Sequence, residues 1–445
     1  MAEKKSSKNS KLQKKLWAIH SWLGLYSGVV IAVLSLSGVL ALYKFDIDHA
    51  LNYSKFYTEP KGERIEIGPV IDSLNQKYGA ENLATIAVPS TPEKTWQISY
   101  YIRDGLSLKA PEVFVEPYTG EILGTRDYQH SFAYFIRNIH VRLYESLFGR
   151  QIVGLAGLAL LISTITGFWI YGNFMKRQFF AAIRKKNLRV QTADFHKLIG
   201  IATLAFNLMI AITGTWLGLQ AWLQPVVMGD RPGFYKPEEK PLTKEEDLQM
   251  PFDVDQAIKR TNEIFPEMIV HFVSPSRNGS RSLRVAGNVP GQVYERFSFS
   301  VTLDKEDLSL IQKYDIREAS MGEKVFFVQE AFHFGDFGGV ITKILYSLFG
   351  LTSGFLALSG FVMYLKRTEV KRSRKPTFIE LKPLLVRWSL GIFGVCALLA
   401  FLQLSFGVVI PAILVVVCVY GALLFLVGRY LFIFAKQRIT NLRTA

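Results

Sequence analysis

Four histidines in this chain stand at the mouths of apolar stretches, and they form two matched sets. His20 and His196 each open a stretch, with a glycine four residues on (Gly24, Gly200) and a hydroxyl–glycine step ending eighteen residues on (Ser37-Gly38, Thr213-Gly214). His140 and His333 each precede a stretch that carries a glycine at +17 (Gly157, Gly350) and a hydroxyl–glycine step at +26 and +27 (Thr166-Gly167, Ser359-Gly360). A tyrosine follows at +31 (Tyr171, Tyr364), then Lys176-Arg177 or Lys366-Arg367. An imidazole so placed can ligate a metal or hydrogen-bond at a membrane interface. The second is the usual fate of a single interfacial histidine. It is a poorer account of four at repeated positions, because the same constraint is then met twice. A site with two protein ligands suits zinc badly, since zinc takes three or four. Haem needs only axial ligands, because the porphyrin supplies the other four nitrogens. Two histidines converging at each membrane face therefore imply two b-type haems and a transmembrane path for electrons.

The elements that must position these residues follow from composition. Of 445 residues 49 % are hydrophobic, 33 of them Phe. About 20 consecutive apolar residues cross a bilayer. Six spans are expected, at 17–43, 140–171, 196–222, 333–365, 386–406 and 409–434. In the second and fourth, interfacial segments starting at His140 and His333 precede the apolar cores. The first span is too long for the apolar region of a signal peptide and no small-x-small cleavage site follows it, so it is expected to be retained. The stretches 1–16, 172–195, 366–387 and 435–445 hold 23 basic residues against four acidic ones, whereas the whole chain is only +15. All four fall on one side of a six-span topology, and the positive-inside rule makes that side cytoplasmic. The charge is thus a topology signal, and no nucleic-acid partner is implied. The domain order expected is a basic tail (1–16), the first span, an external domain (44–139), the second span, a cytoplasmic loop (172–195) and the third span. A second external domain (223–332), the fourth span, a loop (366–385), the last two spans and a tail (435–445) complete it. Only Cys396 and Cys418 occur, both inside the last spans, so the external segments carry no disulfide. No Cys-x-x-Cys-His for covalent haem attachment is present.

Both external segments read as a helix followed by strands. The first has a helix near 70–78, strands near 83–88, 95–102 and 112–115, and a turn Pro117-Tyr118-Thr119-Gly120 leading into 121–124. The second has a helix at 254–264 and strands near 268–273, 281–286, 297–303 and 308–313. Together with the repeated histidine spacing, this predicts an internal duplication whose halves are parallel, since both begin from the same face. The fold class expected is a polytopic α-helical membrane protein of about six spans with two small external α+β domains. Spans five and six stand outside the duplication.

Topology pairs the histidines across the halves. The two in one half lie on opposite faces of a membrane about 30 Å thick and cannot share a ligand. His20 is therefore expected opposite His196, and His140 opposite His333. Gly24 and Gly200 stand on the same helix face as their histidines, either to let a flat macrocycle approach or to pack helices closely. Gly157, Gly167, Gly350 and Gly360 read as packing alone. Near the outer pair, Tyr144 and Phe337 are either porphyrin-stacking rings or part of an interfacial belt. Arg137 and Arg142 either meet propionates or face headgroups. His130 is the alternative outer ligand, while His49 and His271 break the pattern. The apolar cores of the spans hold no acid, which weakens a carrier reading; Asn207 is their notable polar group.

These residues resemble the PepSY-associated transmembrane family, also known as iron-regulated membrane proteins. The run Val113-Phe-Val-Glu-Pro-Tyr-Thr-Gly-Glu-Ile-Leu-Gly124 is similar to the strand–turn–strand that ends a PepSY unit. The segments from His333-Phe-Gly-Asp-Phe-Gly-Gly339 to Lys366-Arg367, and from His140 to Phe168, are similar to the family's helices. The second external segment departs from the pattern, because Leu303-Asp-Lys-Glu-Asp-Leu308 lacks the Thr-Gly. The resemblance covers about residues 10–370 and implies two external PepSY-like domains. It also implies reduction of ferric siderophores through bound haem, as in some members. The function expected is a di-haem reductase of the bacterial cytoplasmic membrane. It would take electrons from a quinol or cytoplasmic reductant and pass them to an external ferric chelate such as a siderophore. An iron-chelate permease and a non-catalytic PepSY regulator are the other readings.

Overall fold

The structure is a computed structural model that describes residues 2–104, 107–144, 147–175, 183–184, 186–228, 251–276, 281–294 and 298–372. The expected spans 386–406 and 409–434, the tail 435–445 and most of the loop 366–385 lie outside the described residues. The first half runs α1 (Ala2–Leu42), α2 (Lys44–Leu51), α3 (Tyr53–Phe56), α4 (Gly68–Tyr78), β1 (Leu83–Ala87), β2 (Trp96–Tyr100), β3 (Ile102–Asp104), β4 (Ser107–Lys109), β5 (Pro111–Val115) and β6 (Ile122–Asp127). It continues with α5 (Phe132–Arg142) and α6 (Leu147–Met175). The second half runs α7 (Leu188–Ala202), α8 (Leu204–Met228), α9 (Val254–Ile264), β7 (Ile269–Pro275), β8 (Ser282–Asn288), β9 (Phe299–Asp304), β10 (Leu310–Asp315), α10 (Met321–Phe334) and α11 (Gly339–Arg372).

Among the described residues four helices are long and apolar enough to cross a membrane, over Lys11–Leu42, Phe148–Gly172, Leu204–Val226 and Gly339–Tyr364. They lie in α1, α6, α8 and α11, where the first four spans are expected. An α-helix satisfies its own backbone groups, which hydrocarbon demands of any segment it surrounds.

The chain divides into two compact units. The first comprises Met1–Leu34, Asn138–Ala202 and Gly354–Ala445. Within it, small residues let helices approach. A Cβ on Gly28 would stand 3.6 Å from the Ala357 carbonyl oxygen, and one on Gly200 would stand 3.7 Å from Leu356 Cδ2. Arg184 donates from Nη2 (2.8 Å) and Nε (2.9 Å) to the buried Asp194 carboxylate and holds the approach to α7. The Arg367 guanidinium lies 4.4 Å from the Trp17 ring centre.

The second unit comprises Ser35–Arg137 and Thr203–Ser353. Its centre is one antiparallel sheet in the order β10-β9-β8-β7-β1-β2-β5-β6, beside a β3–β4 hairpin. The two expected sets of strands are both present, and they are joined. β1 pairs with β7 through Ile86↔Val273 and Ala87↔Phe272, and Val88 N–H donates to the His271 carbonyl at 2.8 Å. Each set alone would end in an unpaired strand edge, and the seam satisfies both edges. The helices α4 and α9 share the sheet's core: Ile71, Ile98, Ala257, Val273, Val285 and Val301 belong to one buried cluster. Gly68 N–H, at the start of α4, donates to Asp255 Oδ2 of α9 at 2.9 Å. A buried guanidinium ties α2 to the sheet. Arg126 meets Asp48 at 2.8 Å and Glu112 at 2.7 Å while lying over the Phe56 and Phe114 rings. Burial pushes the Glu112 carboxyl up.

The turns closing the two halves of the sheet use one design with different residues. In the first, Gly120 N–H donates to the Glu116 carbonyl at 3.0 Å, with Gly120 at φ 77°. In the second, Leu308 N–H donates to the Asp304 carbonyl at 3.0 Å, with Leu308 at φ 54°. A leucine thus holds a left-handed position that glycine fills without steric cost. In both turns an acid bonds the amide two residues on, Glu116 to Tyr118 N–H and Asp304 to Glu306 N–H.

The segments ahead of the second and fourth spans are helices of their own. α5 ends at Arg142, and the next two residues, Leu143 (φ 49°) and Tyr144 (φ 64°), are left-handed. α10 starts on a capping box of Ser320 and Glu323 and ends at Gly335, φ 65°. A Cβ there would meet the Tyr346 ring at 2.6 Å. His140 and His333 each sit in the last turn of their short helix.

The Glu116 turn supplies a test with a defined sign. Burial raises this carboxyl, but bonds from Thr119 Oγ1, Tyr118 N–H and Thr119 N–H outweigh it and hold the group below its ordinary 4.5. A depressed carboxyl contributes stability above its unfolded value and loses it as pH falls through the folded one. Glu116→Ala should lower thermal stability in detergent at pH 7 by about 1.5–3 kcal/mol. The variant's deficit should shrink as pH falls below 4.5; a deficit unchanged by acid would contradict this account.

Candidate functional site

His20 lies in the first spanning helix and His196 in α7, both within the first unit. Their ring centres are 6.2 Å apart and the ring planes are nearly perpendicular, at 87°. A metal–imidazole bond is about 2 Å, and a ring centre lies about 1 Å from its nitrogen, so two rings opposed across one metal place their centres about 6 Å apart. Among the described residues, no group of three or more His, Cys, Asp or Glu side chains is arranged to hold a metal ion.

Each ring is held through Nδ1. His20 Nδ1 is 2.9 Å from the Ser163 carbonyl oxygen and 3.3 Å from Thr166 Oγ1. A carbonyl can only accept, so Nδ1 carries the hydrogen and the neutral ring keeps its lone pair on Nε2. His196 Nδ1 is 2.8 Å from Ser359 Oγ. The Ser359 hydroxyl donates its own hydrogen to the Leu356 carbonyl at 3.0 Å, so it accepts from His196. Both rings therefore present Nε2, the nitrogen a metal would take.

His140 belongs to the first unit and His333 to the second. Each is held in the same manner. His140 Nδ1 is 3.0 Å from the Leu34 carbonyl oxygen, three residues before Ser37-Gly38. His333 Nδ1 is 2.9 Å from Thr213 Oγ1, whose hydrogen goes to the Met209 carbonyl at 2.8 Å. Three of the four histidines are thus held at a hydroxyl–glycine step of another helix, Thr166-Gly167, Ser359-Gly360 and Thr213-Gly214, while His140 reaches the Leu34 carbonyl, one turn before Ser37-Gly38.

The glycines of these steps face the rings. A Cβ on Gly167 would stand 3.0 Å from His20 Cε1, one on Gly214 3.3 Å from His333 Cε1, and one on Gly360 3.9 Å from His196 Cε1. Gly167 and Gly360, read as packing residues, do sit against neighbouring side chains, and those side chains are the candidate ligands His20 and His196. Gly24 behaves otherwise, since a Cβ there meets nothing within 4 Å. Sequence reasoning found these steps as markers of repetition and missed what they do. The available signal was that every one pairs a hydroxyl with a residue lacking a side chain.

The remaining candidates are elsewhere. His130 is exposed on a 3-10 turn, Tyr128–His130. His49 stacks on Phe56 at 4.1 Å, and His271 Nε2 bonds Asn288 Oδ1 at 2.5 Å within the sheet. Phe337 packs in an aromatic group with Phe332 and Tyr346. Arg137 is exposed. Asn207 is buried and engaged, accepting from Ser353 Oγ at 2.6 Å and donating to Thr203.

The hydrogen-bond pattern is open to a direct check. Nitrogen-15 spectra of histidine-labelled protein should show protonated Nδ1 and bare-lone-pair Nε2 for His20 and His196. Gly167→Val should displace the His20 signals, whereas Gly24→Ala should leave them in place. The reverse result would mean that the ring is seated differently.

No curated protein matches the chain. The family model described as the PepSY-associated TM region matches residues 17–367, which takes in all four spanning helices and the whole sheet. With more than three quarters of its length matched, the chain belongs to the PepSY-associated TM family of membrane proteins.

Proposed function

We propose that this protein is a di-haem b-type electron-transfer protein, acting as a reductase for an external ferric chelate such as siderophore-bound iron. The observation that carries the reading is the His20–His196 pair, with perpendicular rings 6.2 Å apart and each Nδ1 already committed to an acceptor. That donor set fits haem b: two imidazole nitrogens and, among the described residues, no third protein ligand. The open space beside Gly24, one turn from His20, fits a flat macrocycle better than close helix packing. His20 and His196 would hold one haem. His140 and His333 are proposed for the second, a pairing that rests on the repeated spacing of an internal parallel duplication. When bound, haem b supplies one-electron chemistry that no amino-acid side chain here offers.

The chain's own part is to hold, orient and insulate. The hydroxyl–glycine steps fix which imidazole nitrogen faces inward. The apolar helices exclude water around the rings. The sheet domain offers the surface at which a chelate would dock. The localisation proposed is the bacterial cytoplasmic membrane, with both termini cytoplasmic and the sheet outside, as the basic segments 1–16 and 172–195 imply. Electrons would then come from a quinol or a cytoplasmic reductant. The ferric chelate is the substrate, and its reduction weakens binding by hard oxygen ligands.

Protein expressed with ample haem should show b-type absorption bands on dithionite reduction, at two haems per chain. His20→Ala and His196→Ala should each remove the same half of the signal, and His140→Ala and His333→Ala the other half. Nearly perpendicular axial rings should also give a strongly anisotropic low-spin ferric resonance. A haem-free protein that reduces nothing would overturn the reading, and uptake of intact chelate into vesicles without reduction would favour a permease.

A further inference from the structure

The four histidines do not lean on equal acceptors. His20 and His140, in the first half, make their shorter bonds to backbone carbonyls, Ser163 at 2.9 Å and Leu34 at 3.0 Å, with the Thr166 hydroxyl a more distant 3.3 Å from His20. His196 and His333, in the second half, reach side-chain hydroxyls, those of Ser359 and Thr213. The two hydroxyls share one construction. Each gives its hydrogen to its own helix, Ser359 to Leu356 and Thr213 to Met209, and is left able only to accept. Each is followed by a glycine facing the same imidazole, so the hydroxyl and the ring edge meet at one place. Hydroxyls of this kind in an apolar helix usually only bond back to their own turn. Thr215 does so, donating to the Ala211 carbonyl at 2.6 Å. Ser27 does so too, donating to Leu23 at 2.6 Å. Ser359 and Thr213 differ from these in having an imidazole on their lone pairs.

An acceptor on the far nitrogen of a ligating histidine orients the ring and raises its basicity, and a more basic ligand favours the more oxidised metal. We propose that Ser359 and Thr213 are positioning residues that set the ferrous–ferric balance, each acting through one histidine, His196 or His333. The proposal rests on the di-haem reading above. Its consequence is that in the second half of the chain the adjustable acceptor makes the short bond. In the first half the short bonds go to backbone carbonyls, which substitution cannot remove.

The test is redox titration of the purified, haem-loaded protein, followed optically, with haem affinity measured in parallel by titrating haem into the haem-free form. Thr213→Val keeps the shape and removes the acceptor. It should shift the ferrous:ferric ratio of one haem toward ferrous by about tenfold, 59 mV for one electron, and leave the other unmoved. Ser359→Ala should do the same to the other haem. Each should weaken its haem's binding by about 10–100-fold. Thr213→Ser and Ser359→Thr, which restore a hydroxyl, should return both quantities to their original values. Thr215→Val, two residues away on the same helix, should change neither. Two loaded haems whose potentials do not respond to Thr213→Val or Ser359→Ala would overturn the proposal and leave the di-haem reading standing. A shift that the hydroxyl-restoring variants fail to reverse, or that Thr215→Val reproduces, would overturn it as well, by showing general loosening of the helices. Absence of haem from the unmodified protein would instead sink the reading on which it rests.

Discussion

An imidazole can offer one nitrogen to a partner only if its other nitrogen is accounted for, and inside a bundle of apolar helices little is available to do that. Water is excluded, and the backbone carbonyls are already committed to the helix that carries them. Two resources remain: the second lone pair of such a carbonyl, and a hydroxyl that spends its hydrogen on its own helix. The chain uses one or the other at all four histidines. The neighbouring architecture follows from this constraint. A ring that reaches across to another helix needs that helix bare on the facing side, hence the glycines after Thr166, Thr213 and Ser359. It also needs its own Cα held at a suitable height. α5 and α10 end at left-handed residues within three positions of their histidines, Leu143 and Gly335, and this break sets the height independently of the spanning helices that follow.

Much of this could be read from the residues. The four spanning helices follow from apolar length, the helix at 254–264 from its pattern, and the strands from alternation and turn residues. Topology alone brought His20 and His196 to one face, and the structure sets their rings side by side. What could not be read has a common cause. The acceptors lie 143 and 163 positions from His20 and His196, and nothing local to either end announces the bond. Hydroxyl–glycine steps occur in membrane helices for close packing, so their second use is hidden by their first. The Leu308 turn was obscured for the opposite reason. Its residues depart from the Thr-Gly pattern of the first turn, yet the backbone takes the same path because the strands on either side impose it.

The sheet domain meets its own problem with charges in place of hydroxyls. Asp48 and Glu112 are buried against a single guanidinium, and Arg126 is flanked by aromatic faces that accept its charge without supplying a hydrogen-bonding rival. Buried ion groups of this kind are weak sources of net stability but strong sources of specificity, because every misplacement strands a charge. Here they specify where α2, the first helix after the first span, meets β5 and β6. The polypeptide leaving that span is thus committed to one place on the sheet.

The seam between β1 and β7 has a consequence in time as well as in space. β1 is complete once residue 87 has been made, but the strand that covers its open edge begins at residue 269. At about 5–20 residues per second of synthesis, that edge stands uncovered for roughly 10–40 s in every newly made molecule. An exposed strand edge is a template for any other extended chain. Biogenesis of this protein therefore includes an interval in which half a sheet must wait for its other half, with two further helices, α6 and α8, to be placed in the membrane before it arrives.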